Sequence, residues 1–292
     1  MSETASTPER ASLLPLAAAL TAFLVLFGPV LSNTAVTWWN DPDSGHGLLL
    51  FPLSIWLAYR AGPVPGARPQ PWLGNAAILV AIVFRYASAL AAEPFSGRLA
   101  MLLAAAGLVT WGWGLRQLLH WWLPVLLVGL SMPLPEIVLG SLALPLQFQA
   151  SKLGAALLAT RGIPVHLDGN VIRLPGHDLF VTEACSGLRS LTALLSLGVL
   201  LGGLLLRTPA ARVAIVLLTI PVAVVINGIR VFGTGFLVAF VDPKLAEGFS
   251  HITEGWLLFL VAFAILAGMA WVIVGMERRF LRGTAEGDGV HA

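Results

Sequence analysis

This sequence predicts an all-α polytopic membrane protein of about eight transmembrane helices, with a small outward-facing β-hairpin element before the sixth span. Three observations carry that fold class. Of 292 residues, 57% are hydrophobic and only 11% are charged, under half the roughly 25% of an average soluble domain. Mean hydropathy is +0.85. The apolar residues fall in long unbroken runs, not in the short alternating segments of a membrane β-barrel. A soluble enzyme, a disordered regulator and a secreted disulfide scaffold are excluded. The net charge of +2 is spread without a basic stripe, which excludes a nucleic-acid partner. A single cysteine, Cys185, excludes an intramolecular disulfide and a multi-cysteine metal site; no cofactor or metal is expected.

The spans follow in order. Ala11 to Trp39 is charge-free, too long for a secretory h-region and without a clear cleavage site, so it reads as a first span and not as a removed signal peptide. Further spans are expected at 45–60, 72–92, 98–115, 117–131, 184–206, 211–240 and 254–276. The whole chain, 1–292, forms one membrane-embedded domain, with 283–292 expected as a disordered polar tail.

Orientation comes from the Lys/Arg bias of short loops. An eight-span path with both termini in the cytoplasm puts Arg10, Arg60, Arg68, Arg116, Arg207, Arg212, Arg278, Arg279 and Arg282 on the inner side. Arg98, Lys152, Arg161, Arg173 and Lys244 fall outside, over more chain. The expected location is the cytoplasmic (inner) membrane, and 40–45, 93–97, 132–183 and 241–253 face outward.

The 132–183 stretch is the one sizeable insertion. Pro135 to Arg161 mixes Leu, Ala and Gln with Lys152 and Arg161, and is expected as one or two helices lying in or dipping into the outer interface, with a re-entrant helix as the alternative. Val165–Leu167 and Val171–Leu174 then flank Asp168-Gly169-Asn170, a hairpin signal. A second turn at Pro175-Gly176 leads into Leu179–Val181 and on to Cys185.

Polar groups inside spans mark function. Arg85 is expected to snorkel or to pair with Glu93. The informative cluster lies at the outer ends of the last three spans. Thr182-Glu183-Ala184-Cys185-Ser186-Gly187-Leu188-Arg189 puts Cys185 at a tight strand-to-helix turn, where a helix N-terminus favours the thiolate. Arg189, four residues on, adds positive charge on the same face; the bland alternative is a buried Cys185 with Arg189 pairing Glu183. Asn227-Gly228-Ile229-Arg230-Val231 places an arginine deep in an apolar run, with Asn227 able to orient it and Glu254 able to neutralise it. Ser250-His251-Ile252-Thr253-Glu254-Gly255-Trp256 stands at the mouth of the last span. Singly, His251 reads as structural; the topology brings Cys185, Arg230 and His251 into one outer layer. A thiolate, an imidazole and a fixed guanidinium can together perform thiol acyl transfer.

In order and approximate spacing these motifs resemble the exosortase/archaeosortase family, on the exosortase branch, as does the lead-in Ile172-Arg173-Leu174-Pro175. Ser44-Gly45-His46-Gly47 is similar to the region near the family's second span. The resemblance covers roughly 40 to 276. It implies a membrane cysteine protease or transpeptidase that cleaves a C-terminal sorting signal (PEP-CTERM-like: Pro-Glu-Pro, a hydrophobic helix, basic residues) from exported proteins. It implies Cys185 as nucleophile, Arg230 as oxyanion stabiliser or orienting cation, and His251 as acid/base, with Glu183, Ser186, Arg189, Asn227 and Glu254 in support. The implied partners are the sorting-signal peptide, the bilayer and a lipid or polysaccharide acceptor. A transporter would instead spread polar groups across the midplane of several spans. A polysaccharide polymerase or acyltransferase would not need Cys185.

Overall fold

The computed structural model describes residues 13–41, 43–181, 188–240 and 249–288. Among these, ten helices and three strands follow one another: α1 (Leu13–Asn40), α2 (Gly47–Ala61), α3 (Pro71–Ala91), α4 (Pro94–Trp113), α5 (Leu115–His120), α6 (Trp122–Ser131), α7 (Glu136–Thr160), β1 (His166–Asp168), β2 (Val171–Leu174), β3 (His177–Phe180), α8 (Leu188–Leu205), α9 (Pro209–Phe240) and α10 (Phe249–Asp288). α10 is thus described six residues into the expected tail.

Among the described residues five helices are long and apolar enough to cross a membrane: α1, α3, α4, α9 and α10. α2, α6 and α8 stand at the other three expected spans. The 15 residues of α2 and the 10 of α6 reach only about 22 and 15 Å. Local sequence explains the shortness. Gly62, Pro63 and Pro65 close α2, while Pro133 and Pro135 forbid continuation of α6. The span expected over 117–131 is also interrupted at Trp121, whose N–H and that of Gly62 close separate helix ends.

The bundle has a basic end and a sheet end. At the first, Arg60 lies over Trp56 and Arg212 over Trp122. There the Glu277 carboxylate accepts the backbone N–H groups of Arg207 and Thr208, satisfying donors left free ahead of α9. At the opposite end the Trp38 indole donates to the Ser131 carbonyl (2.6 Å) and His46 Nε2 meets the Leu130 carbonyl (3.3 Å). Gly47 leaves room for the Trp38 ring against its backbone.

The one or two helices expected over 135–161 are one. Residues 136–160 form one helix whose second half runs alongside α9 in the same direction. Leu146 shares a core with Val222, Ala223 and Ile226, Gly154 abuts Val231, and Leu158 abuts Gly235. The numbers rise together along both helices. Ala150 and Gly154 on one side, Gly228 and Gly235 on the other, supply the small residues that let two backbones approach closely in a membrane.

The expected hairpin is there and gains a third strand. β1, β2 and β3 form an antiparallel meander in that order, with Asp168 opposite Val171 and Leu174 opposite His177. The two-residue turns contain Gly169 (φ 63°) and Gly176 (φ 82°), a conformation a side chain resists. Ile172 and Leu174 point to one face of β2 and are buried against Ala150, Leu158 and Val231. The sheet therefore rests on the C-terminal halves of α7 and α9.

Candidate functional site

The sheet delivers the chain to the cysteine motif. Val181, only 1% exposed, donates its N–H to the Asn170 carbonyl (3.0 Å), and the Asn170 amide donates back to the Val181 carbonyl (3.1 Å). This reciprocal clip fixes the last described residue before the motif. Glu183, Cys185 and Ser186 lie outside the described residues. The chain resumes as α8 at Leu188, with Arg189 in its first turn.

Helix registers relate the remaining positions. Gly198 abuts Val216 and Thr219, and Gly202 abuts Arg212 and Ile215, so α8 and α9 are antiparallel. Ten residues back along α8 from Gly198 is Leu188, about 15 Å away; the same rise along α9 leads to residues 226–229. α10 is anchored to the start of α9 by Glu277 and Thr208. From that anchor Arg230 and Glu254 are each about 33–35 Å distant along their helices, and His251 is less than one turn further. The start of α8, Arg230, Glu254 and His251 thus occupy one level at the sheet end, as far as backbone position goes.

On α9 the two described candidates face differently. Asn227 is 4% exposed and turned into the α7 side, where Gly228 meets Leu153 and Val231 meets Gly154. Neither its Oδ1 nor its Nδ2 has a hydrogen-bond partner, so Asn227 does not orient Arg230 in the manner expected. Ser151, fully buried on α7, also leaves its Oγ without a bond. Both polar groups sit one turn before the Gly154–Val231 contact. Arg230 is half-buried, and its carbonyl accepts the Thr234 hydroxyl (3.1 Å). The histidines of the sheet, His166 and His177, are exposed. Among the described residues no three His, Cys, Asp or Glu side chains gather closely enough to hold a metal ion.

The transmembrane exosortase family model matches residues 38–268. The chain belongs to that family. The match runs from the end of α1 to the first half of α10 and takes in the sheet and all the motif residues of this exosortase-family chain. No curated protein sequence and no solved structure matches it.

Sequence reasoning missed two features. Arg98 is 6% exposed, held by Thr34 Oγ1 (3.3 Å), Thr37 Oγ1 (3.3 Å), Asn33 Oδ1 (3.4 Å) and the Pro133 carbonyl (3.1 Å). It ties α1, α4 and the α6–α7 break together. The signal was there in Asn33, Thr34 and Thr37, three polar residues on one face of a largely apolar helix. The second feature is Ser151, which nothing in its neighbourhood distinguishes.

Proposed function

We propose that this chain is a membrane cysteine peptidase or transpeptidase that cleaves a PEP-CTERM-like C-terminal sorting signal at the outer face of the cytoplasmic membrane. Family membership supports the class of protein. The observation that carries the proposal is the level shared by the start of α8, Arg230 on α9 and the start of α10. The Cys185 thiolate attacks the scissile carbonyl, forming a C–S bond; Arg230 neutralises the developing oxyanion. His251 protonates the leaving amine as the C–N bond breaks. Water, a lipid or a polysaccharide-linked nucleophile then takes the acyl group from the thioester. Eight crossings, with both termini and the basic end in the cytoplasm, keep the sheet and the site outside. The cluster of Arg60, Arg116 and Arg212 at one end favours that orientation.

The test is co-expression with a protein carrying such a signal. Cys185→Ala is expected to leave the substrate full-length while the enzyme accumulates in the membrane. His251→Ala is expected to slow cleavage by about 10²–10⁴-fold, and His166→Ala and His177→Ala to cleave normally. Continued processing by Cys185→Ala removes the thiol mechanism; a large loss at His166 or His177 with none at His251 reassigns the acid.

A further inference from the structure

A second polar site lies away from α8–α10, where α3 turns into α4. A pocket of about 300 Å³ opens there between α1, α3 and α4, lined by Pro29, Val30, Asn33, Arg85, Ser88 and Glu93 among others. Its volume matches the lower end of small-ligand sites, about 300–1,000 Å³.

Two opposite charges share the pocket without pairing. Arg85 Nε is shut off from solvent and has no hydrogen-bond partner, and no ion pair joins Arg85 to Glu93. Glu93 is committed elsewhere. Its Oε1 accepts the Phe95 N–H (2.9 Å) and its Oε2 the Ser96 N–H (2.8 Å), capping α4. These bonds hold its carboxyl below the ordinary value, Ser96's contribution being the largest, against the burial that raises it. Each carboxylate oxygen keeps a lone pair for a further donor. Asn33 turns its Oδ1 to Arg98, which leaves its amide donors available.

The vertical order of these groups is informative. Arg85 is six residues before the end of α3, about 9 Å deeper than the turn. Glu93 stands at the turn itself, brought over the pocket by Ala92 in the left-handed conformation (φ 51°). Pro29 and Val30 of α1 give the pocket an apolar wall, and Leu26, one turn deeper on the same face of α1, is 37% exposed, a surface suited to an acyl chain. An apolar wall, a cation and, nearest the turn, a carboxylate complement in the same order the acyl, phosphate and ammonium groups of a phospholipid.

We propose that this pocket binds one membrane phospholipid with a primary ammonium headgroup, its phosphate on Arg85 and its ammonium on Glu93. Arg offers a planar fork of donors to phosphate. The three N–H groups of an unsubstituted ammonium can reach the free lone pairs of Glu93, and a trimethylammonium has none to offer.

Native mass spectrometry of the purified full chain in detergent tests this, with dioleoyl phosphatidylethanolamine, its N-methylated series up to phosphatidylcholine, and phosphatidylglycerol as probes. One phosphatidylethanolamine is expected to bind about tenfold more tightly than phosphatidylcholine or phosphatidylglycerol. Affinity should fall stepwise as methyls are added. Arg85→Gln should weaken phosphatidylethanolamine about tenfold, and Glu93→Gln should erase its advantage over phosphatidylcholine. The methylation series uses the unaltered protein, so a poorly folding variant does not spare the proposal. Equal binding across that series overturns it, as does unchanged binding by a folded Arg85→Gln. Displacement of the lipid by millimolar inorganic phosphate would make this a free-phosphate site. One-for-one displacement by a synthetic sorting-signal peptide would make it a peptide site. Either outcome overturns the lipid assignment.

Discussion

Gly154→Ala tests the approach of α7 to α9, on which the level of Arg230 depends. A methyl group there would stand 2.5 Å from Val231 Cγ1, 2.9 Å from Val231 Cβ and 3.4 Å from the Phe232 nitrogen. Valine in a helix has essentially one χ1 rotamer, so Val231 cannot swing aside and the helices must separate. Overpacking of this kind costs about 1–3 kcal/mol. The better helix propensity of alanine returns about 0.8–1 kcal/mol. The net expectation is a loss of about 1 kcal/mol, a fall in melting temperature of about 2–4 °C for a chain this size. Gly268→Ala, on an exposed face of α10 with nothing within 4 Å of the new methyl, isolates the propensity gain and should raise the midpoint by a similar amount. Fluorescence-detected size-exclusion after graded heating in detergent reads both. Because Val231 adjoins Arg230, Gly154→Ala should also cut sorting-signal cleavage, by up to about 10²-fold for a displacement near 1 Å. If Gly154→Ala matches Gly268→Ala in stability and cleaves at the normal rate, α7 does not press on α9 as described.

Other outcomes follow from single residues. Arg230→Lys keeps the charge and loses the paired donors, so cleavage in the co-expression assay should be mostly lost; near-normal turnover would reduce Arg230 to a counter-ion. Arg98→Lys cannot reach four acceptors on α1 and the α6–α7 break at once. About 2–3 kcal/mol of stability should go with the lost charge-assisted bonds, read as a lower midpoint in the same heating assay. Glu93→Ala should cost about 1 kcal/mol as a lost N-cap. Since folding lowers the Glu93 pKa, its contribution is complete above the ordinary glutamate value and disappears as pH falls through the lowered one. The stability gap between Glu93→Ala and the parent chain should therefore close below about pH 4.

What the sequence made legible was whatever depends on neighbours along the chain. Gly169 and Gly176 punctuate three short stretches, and the strands lie where those glycines put them. Asn227, Gly228 and Val231 share a helical face, and that face is buried. Orientation between elements was not legible. The Leu, Ala and Gln pattern of 136–160 suits a helix packed on many neighbours, and the contact of Gly154 with Val231 is what lays it along α9. Arg85 and Glu93 are close enough in sequence to suggest a pair. The N–H groups of Phe95 and Ser96 take the carboxylate first, because the start of a helix must satisfy its own donors. Arg98 looked like an outward loop charge because its acceptors are hydroxyls and carbonyls, which carry no sign of charge complementarity.

The brevity of α2 has a consequence for the surrounding lipid. A hydrocarbon core about 30 Å thick meets a helix about 22 Å long whose Leu49, Ile55 and Tyr59 are 76%, 56% and 83% exposed. Such hydrophobic mismatch is relieved by thinning of the bilayer or by oligomerisation, at fractions of a kcal/mol per Å. With α2 as one of the eight crossings proposed above, the membrane is expected to be thinner on the α2 flank than on the flank of the long α9 and α10. On that reading the protein carries its own thickness gradient, and a hydrophobic segment arriving from the bilayer meets a thinner membrane on one side of the bundle than on the other.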